Sequence, residues 1–307
     1  MNIIRGLHNL KQYSGSVVTI GNFDGVHIGH QHIISRLAEK AKTLNLPSVL
    51  ISFSPTPQSF FGRKKATLSS FKQKHQQLKQ LGLDAHLIIA FDQDFSKLSA
   101  EDFIQQILLD KLGMKFCLIG DDFRFGSGRT GDFKLLQTLG RQQEFKVENT
   151  QSVTCNDHRV SSSKIREFLS QGAFELAAQM LGREFSISGK IISGKQLGRT
   201  ISFPTINIPI KRNISPVLGV FCVQVHLLGN TFNGVCNIGK RPTVSGENIL
   251  LEVFLFSFNQ TVYGEFAEVV FKQKIRQEQK FDSFNQLKEQ IKLDVETAKN
   301  FFGQALN

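Results

Sequence analysis

Short apolar runs alternate with amphipathic stretches through the first half of the chain. Residues 17–20, 48–53, 86–91 and 116–119 read as buried strands, while 31–44 and 100–112 carry apolar residues at helical spacing. Strands separated by helices predict a parallel sheet with helices on its faces, and such sheets bind ligands beyond the carboxyl ends of their strands. After Leu181-Gly182-Arg183 the rhythm changes. A short helical segment, 174–181, meets a glycine stop signal there, and runs rich in Val, Ile and Phe follow at 185–192, 220–227, 235–238, 249–258 and 267–275. With Gly and Asn at the turns these runs predict a small antiparallel barrel, and 283–302 predicts one closing helix. The boundary is expected near Gly182 to Glu184, giving domains 1–183 and 184–307, and the segment 182–307 is expected to fold alone.

The polar stretch after the first strand carries the strongest chemical signal. Gly21-Asn22-Phe23-Asp24-Gly25-Val26-His27-Ile28-Gly29-His30 joins a predicted strand to a predicted helix. Glycines let backbone N–H groups approach a phosphate, and the helix N-terminus adds partial positive charge. His27 and His30 share one helical face, so both rings can reach one phosphoryl group and donate to charge developing on it. A second run, Ser161-Ser162-Ser163-Lys164-Ile165-Arg166, opens another helix, with Ser163 as the expected N-cap and Arg166 placed to grip phosphate oxygens from the first turn.

In the C-terminal part, Gly194-Lys195-Gln196-Leu197-Gly198-Arg199 leads into Phe203-Pro204-Thr205-Ile206-Asn207. Thr205 and Asn207 stand two apart on a strand, so their hard oxygen donors share a face and suit Mg²⁺, which takes most of its other ligands from water and nucleotide phosphates. Glu252 lies inside the apolar run Ile249-Leu250-Leu251-Glu252-Val253-Phe254-Leu255-Phe256. A buried carboxylate there suits general-base work on a substrate hydroxyl, while strand alternation also allows a plain solvent-facing glutamate.

Together these motifs resemble one family. G-N-F-D-G-V-H-x-G-H followed by S-S-[ST]-x-I-R is similar to the FMN adenylyltransferase module of the bacterial bifunctional riboflavin kinase/FAD synthetases, and Gly120-Asp121-Asp122-Phe123-Arg124-Phe125-Gly126 resembles its flavin-side loop. The segments around Gly198 and Pro204, Asn237-Ile238-Gly239-Lys240-Arg241-Pro242-Thr243, Leu251-Glu252-Val253 and Arg276 resemble the riboflavin kinase module. The resemblance implies an α/β Rossmann-like nucleotidyltransferase domain followed by a small antiparallel β-barrel kinase domain with a C-terminal helix. It also implies riboflavin, FMN and ATP as small-molecule substrates, FMN and FAD as products, and Mg²⁺ as cofactor. Catalysis falls to His27, His30 and Arg166 in the first module and to Glu252 in the second. ATP contacts in the first come from Gly21, Phe23, Asp24, Gly25, Ser162 and Ser163, and flavin contacts from Asp122, Phe123 and Arg124. In the kinase, Gly194, Lys195, Gly198, Arg199, Pro204, Thr205, Asn207 and Arg276 are the expected ligand contacts, Thr205 and Asn207 also holding the metal. Two positions depart from the family pattern: Thr56 replaces the histidine of a P-H-P tripeptide, and Phe254 replaces a histidine two residues beyond Glu252.

Composition changes this picture little. At 307 residues the chain is long enough for two cores. Its net charge of +11 raises the possibility of a nucleic-acid partner, but the basic residues are scattered, the densest patch being Arg63-Lys64-Lys65, and a positive field equally suits ATP and FMN. The tetrapeptide His27-Ile28-Gly29-His30 also resembles the signature of class I aminoacyl-tRNA synthetases, yet the partner run at 161–166 lacks their paired lysines. Cys117, Cys155, Cys222 and Cys236 show no C-x-x-C spacing, and no apolar run reaches membrane-spanning length. A cytoplasmic enzyme with no nucleic-acid or membrane partner is expected.

Overall fold

The computed structural model describes residues 1–193, 203–210, 214–243 and 246–304. The chain divides into two compact units, Met1–Lys65 with Phe71–Ser161, and Ala66–Ser70 with Ser162–Asn307.

The first unit is built on a six-stranded parallel sheet: β1 (Asn2–Arg5), β2 (Ser16–Ile20), β3 (Ser48–Ser54), β4 (Ala85–Ala90), β5 (Met114–Gly120) and β6 (Lys146–Thr150), in the order β1-β4-β3-β2-β5-β6. Strand alternation divides its apolar residues between two cores. Val17, Leu50, Phe116 and Leu118 pack with Ile34 and Leu37 of α1 (Ile28–Leu44) and Leu78 of α3 (Phe71–Gln80); the one-turn helix between these two, α2, spans Pro57–Phe60. Val18, Ile20, Ile51 and Ile119 pack on the opposite side with Ile104 and Leu108, which follow α4 (Ala100–Asp102), and with Leu136 of α5 (Phe133–Gln142). Both faces are therefore covered, which explains the nearly unbroken apolar character of β2, β3 and β5. From β2 the chain moves outward through β3 and β4, then returns to lay β5 on the other side of β2. The sheet reverses direction between β2 and β5, and the crevice at such a reversal is where doubly wound sheets bind ligands. A two-stranded ribbon, β7 (Thr154–Cys155) with β8 (His158–Arg159), follows β6.

The second unit opens with α6 (Ser162–Gln171) and α7 (Phe174–Leu181). A six-stranded antiparallel sheet follows: β9 (Ser186–Lys190), β10 (Thr205–Ile210), β11 (Gly219–Leu227), β12 (Asn230–Thr243), β13 (Gly246–Leu255) and β14 (Phe266–Arg276), ordered β10-β13-β12-β11-β14-β9. A bridge from Ile192 to Asn207, with Ile192 N–H donating to Asn207 O at 2.8 Å, draws the chain beyond β9 onto β10 and curls the sheet toward a barrel. Helix α8 (Phe284–Phe301) lies on its outer face, where Val295 and Ala298 pack with Val220, Cys222, Val235 and Phe256.

Helices α6 and α7 belong to this barrel unit. The Phe174 ring meets Phe221 edge-on at 5.7 Å and lies 5.9 Å from Phe271, and Lys274 Nζ donates to Ser170 O at 3.0 Å. The packing unit thus begins at Ser162, ahead of the start at residue 182 expected for a self-sufficient fragment.

Candidate active sites

The turn that leaves β2 is strained in a way only a functional site or a tightly packed core sustains. Phe23 has φ 46° and Val26 φ 41°, left-handed values that bulky and β-branched residues rarely adopt, and Gly25 has φ 80°. Phe23 and Val26 are nevertheless buried at 3% and 1% exposure, so packing holds what the backbone disfavours. The turn ends at His27, the N-cap of α1, whose Nδ1 accepts from His30 N–H at 3.3 Å. Because Nδ1 is the acceptor, the ring proton of the neutral imidazole sits on Nε2, leaving that nitrogen as a donor. The His27 and His30 rings stack 3.5 Å apart at 14°, and the Phe23 ring lies 4.5 Å from His30, tilted by 32°. Gly29 leaves room for this stack, since an added Cβ would stand 3.3 Å from the His27 ring.

Burial, then the neighbouring His27 and Lys74, hold the His30 pKa well below the ordinary imidazole value, so His30 is neutral near pH 7. Its Nδ1 is enclosed and without a hydrogen-bond partner among the described residues. Lys74, on α3, donates from Nζ to the carbonyl of Asn22. Burial pushes this ammonium down to about 8, against the pull of Asp24. Lys74 is a member of the site that no motif signalled.

The loop after β5 leaves the sheet beside this turn, as the strand order requires. Phe123 stacks on Phe125 at 5.5 Å, Arg124 Nη1 donates to Phe123 O at 2.8 Å, and Asp122 is paired with Arg159 at 3.2 Å. After β3, Thr56 caps α2 by accepting from Ser59 N–H at 3.2 Å. The residue standing where the family pattern has histidine therefore has a local structural role.

In the second unit α6 begins at Ser162, so Ser163 lies within the first turn and is not the expected N-cap. Arg166 stands one residue beyond that turn, and its Nε donates to Ala66 O. Gly194, Lys195, Gly198 and Arg199 lie outside the described residues, and Pro204 is exposed.

The strand register brings most of the other kinase candidates onto one line. Asn207 of β10 is opposite Glu252 of β13, Glu252 is opposite Asn237 of β12, Asn237 is opposite Val220 of β11, and Val220 is opposite Arg276 of β14. Partners directly opposite share a face, so Asn207, Glu252, Asn237 and Arg276 form one transverse row on the outer face that α8 covers. Thr205 is on the same face, opposite Phe254. Phe254 meets Phe203 edge-on at 5.2 Å and packs into the cluster beneath α8. Glu252 is half-buried, between the buried and the solvent-facing placements that its apolar strand leaves open. Its flanking amide Asn237, though part of the quoted motif, was not named as a site residue. Arg276 is already engaged: Nε and Nη2 make a two-point ion pair with Asp294 of α8 at 2.8 and 2.7 Å, and Nη1 donates to Gln277 O at 3.0 Å.

A doubly wound parallel sheet with a stacked H-x-G-H pair at its reversal point, joined to an antiparallel near-barrel with a carboxylate between two amides, defines a two-module nucleotide-dependent transferase. Comparison with known proteins agrees module by module. The FAD synthetase family model matches residues 9–164, and the riboflavin kinase model matches 181–302. A bifunctional riboflavin kinase/FMN adenylyltransferase from Haemophilus influenzae is 46% identical over 98% of this chain and 99% of its own length. The protein of that name from Escherichia coli K12 is 44% identical over 99% and 98%. A solved structure described as a macrolide-efflux protein from Streptococcus pneumoniae superposes with TM-score 0.82 at 28% identity, covering 98% of this chain and 99% of that one. No helix among the described residues is long and apolar enough to cross a membrane. The chain belongs to the bifunctional riboflavin kinase/FMN adenylyltransferase family.

Proposed function

We infer that this chain converts riboflavin to FMN and then FMN to FAD, using one ATP at each step, and that the residues above divide the work. In the barrel module Glu252 takes the proton of the ribityl 5′-hydroxyl, whose oxygen bonds to the γ-phosphorus of ATP as the bond to ADP breaks. In the sheet module a phosphate oxygen of FMN attacks the α-phosphorus of a second ATP and pyrophosphate leaves. His27 Nε2–H and His30 donate to the oxygens that gain charge, with Arg166, Ser162 and Ser163 assigned to the phosphates. Neither step needs a protein nucleophile. The observation that carries the kinase assignment is the row Asn207–Glu252–Asn237, which sets a carboxylate between two amides on one face.

The donor chemistry fits a hard divalent cation. Asn207 is 6% exposed and its Nδ2 is committed to Thr205 O at 3.3 Å, which leaves Oδ1 as the amide's ligating end beside the Thr205 hydroxyl. Thr205 and Asn207 would hold Mg²⁺, which when bound neutralises the triphosphate. The functional modules are assigned to 1–183 and 184–307; the first family match ends at 164 and the second begins at 181, three residues ahead of the assigned kinase module. A cytoplasmic location is supported by four cysteines that are all free thiols.

The test is a time course of the pure protein with riboflavin, ATP and Mg²⁺, separating riboflavin, FMN and FAD. Glu252→Gln should lose about 10²- to 10⁴-fold in FMN formation, the usual contribution of a general base, while converting supplied FMN to FAD at the unsubstituted rate. Near-normal riboflavin phosphorylation by this variant would remove Glu252 from the mechanism.

A further inference from the structure

Below the H-x-G-H turn lies a group of basic side chains that adenylyl transfer, as assigned above, does not use. His86 of β4 is 1% exposed, with Nε2 2.7 Å from Ser52 Oγ and an enclosed Nδ1 that has no partner among the described residues. Burial, then Lys74 and His75, push its pKa down to about 3. His75, next to Lys74 on α3, is shifted down as well, burial first. Lys74 therefore faces Asp24 on the turn, His30 of α1 with His27 stacked behind it, and His86 of β4, on which His75 also acts. With His30 and His86 held neutral by burial, Lys74 carries the positive charge at the centre of this group.

A desolvated ammonium is costly, and the fold accepts that cost on a helix whose only buried residue is Leu78. What Lys74 gains is the turn. Its donor goes to Asn22 O, the carbonyl just before the strained Phe23–Val26 segment, and its charge attracts Asp24 within that segment. We propose that Lys74 is a positioning residue of the adenylyl-transfer site, latching the strained turn beneath the His27–His30 pair from the neighbouring helix. The inference rests on reading that pair as the adenylyl-transfer centre. Lys74 touches no reacting atom in this role; it acts through the carbonyl of Asn22, the carboxylate of Asp24 and the field at His30. Protonated, it keeps the turn closed beneath His30, whose neutrality comes first from burial, then from His27, with Lys74 adding to both. Deprotonated, it loses its hold on Asp24.

The experiment uses the full-length protein and follows FMN to FAD at saturating Mg²⁺ and ATP over about pH 6 to 10, the range of ordinary His and Lys titration. Riboflavin phosphorylation controls for the barrel unit, and the urea unfolding of the sheet unit, compared with that of the unsubstituted protein, controls for the folding of the unit that carries Lys74. Adenylyl transfer by the unsubstituted protein should fall as pH rises past about 8, where the ammonium loses its proton. Lys74→Met should lower kcat for FAD formation by about 10- to 10²-fold, the scale of a small misplacement of reacting groups, with KM for ATP little changed and FMN formation intact. It should also erase the alkaline fall. Lys74→Arg keeps its charge to higher pH, so its profile should stay level beyond that point. An unchanged kcat in Lys74→Met, or an alkaline fall at the same pH in Lys74→Arg, would overturn the proposal. Should Lys74→Met lose both activities, the Arg profile alone decides. His30→Ala in parallel separates the two readings: a full FAD rate there sinks the site itself, whereas a low rate there with a normal Lys74→Met sinks only the latch.

Discussion

His27 and His30 stand three residues apart and do unequal work. His27 spends Nδ1 on capping α1, so replacing it costs the helix its cap as well as a donor, and a loss of activity would be hard to assign. His30 spends no side-chain atom on the cap. Its backbone N–H donates to His27, and that bond survives truncation. His30→Ala should therefore reduce FAD formation by about 10²- to 10³-fold, the usual loss for one transition-state donor, without slowing FMN formation. Measuring both rates on one preparation checks it, and equal losses in the two steps would point to general unfolding. The histidines were legible in the sequence because a phosphate-binding turn is contiguous: ten neighbouring residues must supply the glycines, the cap and the rings together. Lys74, Asn237 and Asp294 were not legible as site residues for the opposite reason. Each acquires its role from a partner distant in sequence, Asn22, Glu252 and Arg276 respectively, and a lysine in Lys72-Gln73-Lys74-His75 looks like any other on a polar helix.

At the scale of elements, the periodic apolar pattern located the central strands and the long helices, since burial on both faces or along one stripe is what that pattern encodes. It passed over β1 and β6, whose exposed Asn2, Arg5, Lys146 and Glu148 mark edge strands, and over α3, which buries only Leu78. It also placed α8 correctly while giving no hint of what fastens it. The apolar contacts of Val295 and Ala298 are supplemented by Asp294, whose side chain is 5% exposed and pairs at two points with Arg276 on β14. Gln290 Nε2 adds a bond to Asp294 Oδ1 at 3.1 Å. The guanidinium assigned by resemblance to ligand contact is thus occupied in docking the helix over the Asn207–Glu252–Asn237 row. Asp294→Ala leaves Arg276 largely buried without its carboxylate, which typically costs about 3–5 kcal/mol. The barrel unit's unfolding transition in urea should move to lower concentration, its unfolding free energy falling by that amount, with the sheet unit's transition unmoved. A shift below about 1 kcal/mol, the value of an exposed pair, would show that the clasp is ornamental and return Arg276 to the ligand.

For the molecule as a whole, the change of rhythm near Gly182 separated a sheet half from a barrel half, while the two family matches leave residues 165–180 to neither. Periodicity could not show which half owns the two helices between Ser162 and Leu181, because an amphipathic helix declares that it has an apolar face and not what that face covers. The packing assigns them to the barrel: Phe174 is 5% exposed against Phe221 and Phe271, themselves 0% and 1% exposed, and an added Cβ at Gly172 would stand 2.8 Å from Lys274 Cβ. A fragment starting at Gly182 keeps Glu252, Asn207, Asn237 and Arg276 but uncovers those two rings. A fragment starting at Ser162 keeps them covered. Both should convert riboflavin to FMN and neither should make FAD, since His27 and His30 lie in residues that both lack. The longer fragment should be the more stable by at least about 3–5 kcal/mol, the cost of deleting one buried phenylalanine side chain. Thermal or urea unfolding of the two, compared with Phe174→Ala in the longer one, measures this directly. Equal stability of the two fragments would mean that α6 and α7 rest on the barrel without supporting it, and a longer fragment that folds yet leaves riboflavin unphosphorylated would mean that the kinase needs residues ahead of Ser162.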